Sequence, residues 1–202
     1  VAGGAGTAAR LRRLDENMEI ILIEKGPDIS YANCGLPYSI GKVIKERSSL
    51  LVMTAEKFSK RFNVDVRTSC EALEIDRSGK ELKLKDLKTG QEYSEKYDKL
   101  VVSTGSTPLI PPFSGTDLPG VHRLWTLQDM DKLEAILQQG PRKVLVVGGG
   151  FVGVELAENL LERGCEAVLV QRESFLLPSL DVEMSNLIVA ELRSLGIRVE
   201  MQ

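Results

Sequence analysis

The sequence predicts an α/β chain made of two β-α-β units of the doubly wound type, with an antiparallel β-meander inserted between them. Three observations carry this. A glycine-rich stretch runs into a helical pattern twice, at residues 1–14 and 148–163. Each copy then reaches a strand that ends about 20 residues past its glycines, the spacing of a dinucleotide-binding unit. Between the copies, short alternating or apolar runs are broken by Ser78-Gly79 and Thr89-Gly90, which read as hairpin turns. The chain has 202 residues, 43% hydrophobic and 27% charged, enough apolar material for a sizeable core, so disordered and fibrous readings are excluded.

Taken in order, the first unit reads as glycines, a helix over 7–14, the polar turn Asp15-Glu16-Asn17 and a strand over 19–24. Its leading strand is expected before residue 1, so the chain is expected to start inside a glycine loop. Strands are expected at 63–66, 71–75, 81–84, 91–97 and 99–103. Pro108, Pro111, Pro112, Gly115, Pro119 and Gly120 form a punctuated linker, which puts a boundary between domains 1–112 and 113–202. A helix over 127–138 is stopped by Gly140-Pro141. The second unit has a Val-rich strand at 143–147, Gly148-Gly149-Gly150, a helix over 151–163, Gly164 and a strand over 167–171. A helix over 182–195 capped by Asp181 and a strand over 197–200 follow, before any closing elements of that domain.

Several classes are excluded. The formal net charge of −3 offers no basic excess for nucleic acid. Apolar runs such as 144–147 are far too short to cross a bilayer, and no signal-peptide pattern is present. Three cysteines do not make a disulfide framework and point to a reducing, cytoplasmic setting. With one histidine and scattered cysteines, no metal site is expected.

Gly148-x-Gly150-x-x-Gly153 follows a strand and opens a helix, the context in which this short motif gains meaning. The first glycine permits a tight turn, the second lets a pyrophosphate approach the backbone, and the third lets helix and strand pack closely. The alternative is a glycine-rich turn without a ligand. At the end of the next strand stand Gln171 and Arg172. Gln171 has no charge to repel a 2′-phosphate and Arg172 can pair with one, so NADPH is expected over NADH. Arg172 reads equally as a solvated surface residue. Glu155 either orients the nicotinamide or simply suits an early helical turn. Ala2-Gly3-Gly4-Ala5 looks like the back half of a similar fingerprint, with Glu24 (followed by Lys25) at the strand end twenty residues after Gly4. A carboxylate there rejects a 2′-phosphate and fits an adenosine such as that of FAD. Its plain alternative is a surface strand-end acid.

Ser30-Tyr31-Ala32-Asn33-Cys34-Gly35-Leu36-Pro37-Tyr38 is the chemical centre. A helix starting just after Cys34 would favour its thiolate. Dithiol flavoreductases carry a second cysteine five residues on; here that position is Ser39, so Cys34 must pair with an external thiol or pass through sulfenic acid. Cys70 and Cys165 fit the reading of buried, inert thiols.

Residues 1–13, 30–38, 97–108 and 143–163 together resemble the FAD-dependent pyridine nucleotide–disulfide oxidoreductases. Within these they are most similar to the single-cysteine branch and its coenzyme A-disulfide reductases. The resemblance implies two Rossmann-like FAD/NAD(P)-binding domains, both incomplete in this chain. It implies Cys34 as the redox-active cysteine facing the flavin, Asn33 beside the substrate thiol and Ser30 near bound coenzyme A. Arg10, Arg13 and Arg61 fall where the family contacts coenzyme A phosphates, which suits an anionic ligand; surface solvation is the even alternative. Ser103-Thr104-Gly105 matches the second flavin-contacting motif, with Ser103 in place of the usual alanine, so Thr104 and Gly105 are expected at the flavin. Ala72 falls where backbone contacts to adenine are expected. Tyr31 replaces the commoner phenylalanine. The implied activity is reduction of coenzyme A disulfide by NADPH or NADH through FAD and Cys34, in a full-length homodimer. An NADH oxidase or peroxidase with a cysteine-sulfenic cycle, a polysulfide or persulfide reductase, and a non-catalytic nucleotide-binding fragment are the rival readings.

Overall fold

A computed structural model describes residues 1–140 and 143–202. In chain order the first elements are α1 (Gly3–Leu14), β1 (Ile21–Glu24), α2 (Leu36–Ile40), α3 (Ala55–Phe62) and β2 (Asp65–Thr68). Then come β3 (Cys70–Asp76), β4 (Glu81–Asp86), β5 (Glu92–Lys96) and α4 (Leu127–Gln138). The last are β6 (Lys143–Val147), α5 (Phe151–Glu162), β7 (Glu166–Gln171), α6 (Val182–Ser194) and β8 (Arg198–Met201). Contacts group the chain into two compact units, Val1–Tyr31 with Leu51–Pro108 and Ala32–Leu50 with Leu109–Gln202. The stretch 32–50, which carries Cys34, therefore groups with the second glycine motif.

In the first unit, α1 turns Ala5, Ala8 and Ala9 inward, and these small side chains let the helix lie close to Ile20, Ile29, Phe58 and Val64. β1 pairs in parallel with β2, from Ile21↔Asp65 to Glu24↔Thr68. α3, for which the sequence analysis has no counterpart, is bounded at both ends. The Thr54 hydroxyl accepts from Lys57 N–H, and Asn63 adopts the left-handed conformation beyond its last turn. Arg12 joins α1 to that end, donating to the carbonyls of Phe62 (2.8 Å) and Asn63 (2.7 Å). The meander β3-β4-β5 is antiparallel throughout, over a small core of Cys70, Leu82 and Leu84. Both of its turns are closed by an aspartate: Asp76 accepts from Ser78 and Gly79 N–H, and Asp86 from Lys88 and Thr89 N–H.

In the second unit, β6, β7 and β8 form a parallel sheet in that order. Val146, Ala167, Leu169 and Val199 are its buried side chains, and α5 and α6 are its crossovers. α4 starts with a reciprocal cap: Thr126 Oγ accepts from Asp129 N–H and the Asp129 carboxylate accepts from Thr126 N–H.

The strand expected at 99–103 does not form. Val101 and Val102 are exposed, and no described strand offers this stretch a ladder, without which an apolar run gains nothing from being extended. Asp181 precedes α6 as expected, but its side chain makes no cap hydrogen bond. Of the expected stop after α4, Gly140 takes φ +87°, while Pro141 lies outside the described residues. No described helix is long and apolar enough to cross a membrane.

Candidate nucleotide and cysteine sites

The second glycine loop is built by contact. Gly148 takes φ +112°, a conformation closed to most side chains, and its N–H donates to Val170 O at 2.8 Å. A methyl on Gly153 would overlap the Gly148 carbonyl oxygen, so helix and strand meet there without room for any other residue. Gly150 faces open space and leaves the backbone approachable. Gln171, at the end of β7, is buried; its Oε1 accepts from Gly149 N–H at 2.9 Å. Arg172 is exposed.

Helix starts set α1 and α5, together with the five-residue α2, apart from α3, α4 and α6. α3 and α4 are capped by threonine side chains, and α6 has Glu183 in its first turn. α1 and α5 begin at Ala2 and Gly150 with neither a side-chain cap nor an acid in the first turn. Their first N–H groups and the positive end of the helix dipole are thus left for an outside anion, which fits the pyrophosphates of FAD and of a nicotinamide dinucleotide.

At the start of α1, which holds Gly3, Gly4 and Ala5 with Ala2 just before them, the structure places Gly3 and Gly4 beside Ser103 of the second expected flavin motif. A methyl on Gly3 would stand 3.1 Å from Ser103 Oγ, next to Thr104 and Gly105, both exposed. Glu24 ends β1, and its Oε1 accepts from Gly26 N–H at 2.7 Å. Lys25 pairs with Glu71 (2.6 Å), adjacent to the exposed Ala72 on β3. Arg10 and Arg13 on α1 and Arg61 on α3 are all exposed, and Arg61 lies 5.4 Å over the Phe62 ring. Ser30 uses its carbonyl to accept from Val52 N–H.

Asn33 and Cys34 lie exposed on a single 3₁₀ turn, Asn33–Gly35, which runs into α2 with Pro37 as its second residue. Cys70 and Cys165 are buried, Cys70 with its Sγ 3.3 Å from the Tyr93 hydroxyl. The turn is fixed through α2. Arg163 donates to Ile40 O (3.0 Å) and to Glu134 (2.9 Å), Lys42 pairs with the same carboxylate (2.6 Å), and Arg47 reaches Asp131 (2.9 Å). Burial pushes the Glu134 carboxyl upward, but its bonds from Lys42 and Arg163 win and hold it below the usual carboxylate range. The Tyr38 hydroxyl donates to Glu155 at 3.4 Å, and the Glu155 charge raises the phenol above its ordinary value. Lys42, Glu134 and Arg163 are not identified from the sequence, and Tyr38 reads there only as the end of the cysteine motif, without its partner. Their partners lie far along the chain, and nothing local marks them.

The family model for pyridine nucleotide-disulphide oxidoreductases matches residues 2–202. A coenzyme A disulfide reductase of Staphylococcus aureus is 38% identical over 193 residues, covering 95% of this chain and 43% of that protein. An NADH oxidase of Methanocaldococcus jannaschii is 36% identical over 200 residues, covering 98% of this chain and 44% of that protein. The chain thus spans less than half the length of these relatives. The crystal structure of reduced Bacillus anthracis CoADR-RHD superposes with a TM-score of 0.96 at 43% identity, covering 99% of this chain and 36% of that one. Glycine loops, uncapped helices and these matches agree: the chain belongs to the pyridine nucleotide-disulphide oxidoreductase family, whose members use FAD and NAD(P)H.

Proposed function

We propose that this chain carries the nucleotide-binding and cysteine-bearing part of an NAD(P)H-dependent flavoprotein that reduces coenzyme A disulfide. The observation that carries the reading is Cys34. It is the exposed one of three cysteines, and it sits on a turn anchored through α2 to the helix that follows the second glycine loop.

Ala2 to Ala5, Glu24, Lys25, Ala72, Thr104 and Gly105 would hold FAD. Gly148, Gly150, Gly153, Glu155, Gln171 and Arg172 would hold the nicotinamide nucleotide. When bound, these groups supply the two electrons that the disulfide takes up. The Cys34 thiolate attacks one sulfur of the disulfide, forming a mixed disulfide and releasing the other half as thiolate; two electrons then free Cys34 and the second thiol. Asn33 would stand beside the entering sulfur. Ser30, Arg10, Arg13 and Arg61 would meet the polar and anionic parts of coenzyme A. A homodimer in the cytoplasm belongs to the same proposal.

Replacing Cys34 with serine tests it. Flavin should stay bound while disulfide reduction falls to background; undiminished reduction sinks the reading. The similarity to an NADH oxidase supports a second reading, in which the same thiol cycles through sulfenic acid. Comparing coenzyme A disulfide, hydrogen peroxide and oxygen as oxidants separates the two.

A further inference from the structure

Just past the end of β7, three consecutive side chains form one hydrogen-bonded chain. Gln171 is buried, its Oε1 fixed by Gly149 N–H (2.9 Å), and its Nε2 donates to Glu173 Oε2 at 2.6 Å. The other oxygen of Glu173 accepts two N–H groups from Arg172, at 3.1 Å and 2.6 Å. The carboxylate is therefore held from both sides, by an amide anchored in the glycine loop and by a guanidinium. An exposed arginine–glutamate pair alone would mean little, because such pairs exchange readily with water. The buried amide is what fixes this one.

Gln171 and Arg172 line a hollow of about 400 Å³ at the carboxyl ends of β7 and β8, where parallel sheets take their ligands, and Glu173 reaches it through its bonds to both. Of its wall residues Val170, Gln171, Arg172, Glu200, Met201 and Gln202, Arg172 is the one cation. Glu200 is the carboxylate of that wall, paired with Arg198 at 2.6 Å. A 2′-phosphate entering here needs Arg172, and Arg172 is already engaged. Turning Arg172 to the phosphate would leave Glu173 charged beside it, and Glu173 cannot swing away without breaking its bond to Gln171. A 2′-hydroxyl has the opposite relation to the carboxylate, because it can donate to it.

We propose that Glu173 is a specificity-determining residue that selects a nucleotide with a free ribose 2′-hydroxyl against one with a 2′-phosphate. The selection rests on the nicotinamide-nucleotide reading of residues 148–153 and reverses the NADPH preference expected from Gln171 and Arg172 alone. The Arg172 bonds hold the Glu173 carboxyl below the usual range, so it stays charged at neutral pH.

Titration calorimetry on FAD-saturated protein, with 5′-AMP and adenosine 2′,5′-bisphosphate as probes, tests it without turnover. The unmodified protein should bind 5′-AMP more tightly. Glu173→Gln keeps the size of the side chain and should move the affinity ratio toward the 2′-phosphate by about tenfold. Adding Arg172→Ala should cancel that gain, and Glu173→Ala should repeat the shift. A ratio unchanged within about twofold in both Glu173 variants, with 5′-AMP still bound, overturns the role of Glu173 and leaves the site standing. Failure of either probe to bind any form overturns the site reading and this inference with it.

Discussion

Two strand ends in this molecule face the same problem and answer it differently. At β1, Glu24 bonds forward to Gly26 N–H, in its own turn. At β7, Gln171 bonds back to Gly149 N–H, in the glycine loop before α5. The junctions behind them differ in the same sense. Gly153 leaves no room for a side chain against Gly148, whereas a methyl on Gly4 would make ordinary contact with Ser103. The second loop is locked to its own strand from two sides, while the first has Ser103 as its neighbour. The neighbours of the glycine loop are thus local in one unit and come from a distant segment in the other.

The largest expected effect tests that contrast directly. Gly153→Ala should cost about 3 kcal/mol, since backbone must move, whereas Gly4→Ala, inside a helix with space around it, should be neutral or stabilising by up to about 1 kcal/mol. Urea unfolding of the two variants decides it; equal costs would erase the difference between the junctions. Next, Gln171→Leu strands the buried Gly149 N–H and should cost about 2 kcal/mol, against less than about 1 kcal/mol for Glu24→Leu, whose lost bond is half-exposed. A reversed order would break the comparison.

A third prediction concerns pH. The Glu134 carboxyl is lower in the folded than in the unfolded state, so its contribution is complete above the ordinary carboxylate value of about 4.3 and is lost as pH falls through the folded value. Glu134→Gln should lower the urea midpoint near neutrality, with the gap to the unmodified protein closing in acid; a gap constant with pH would contradict it. The smallest effect belongs to Lys25→Ala, whose exposed pair with Glu71 should matter by less than about 0.5 kcal/mol. A larger loss would mean that the end of β1 is locked more tightly than its geometry indicates.

Much of this was legible in the sequence because it is local. The helix over 127–138 and the strand over 143–147 have the bounds that periodicity and capping residues give them. Asp76 and Asp86 close their turns with their own neighbours, so hairpin signals suffice. The apolar run at 99–103 misleads for the opposite reason. Strand formation depends on a partner, and composition cannot say whether one is present. α3 had a usable signal in Thr54 and in Phe58 and Phe62 on one face, but lysines and short length obscure it. In the candidate cysteine site, Cys34 is singled out by its neighbours in sequence, and the structure shows it exposed. Its supports are not singled out, because Glu134 and Arg163 act across the fold. Glu173 lies two residues beyond the end of β7, outside the strand-end positions that the fingerprint spacing marks.

Anchoring of the cysteine turn also has a consequence in time. Ile40 waits for Arg163, 123 residues later, to receive its hydrogen bond, and Tyr38 waits for Glu155, 117 residues later. At ordinary rates of synthesis the ribosome takes on the order of ten seconds to cover that interval. Until synthesis reaches residue 127, the Cys34 segment has none of its final partners among α4 and α5. The thiol therefore spends its first seconds on a nascent chain whose α4 and α5 do not yet exist, open to any oxidant present before either helix can hold its turn.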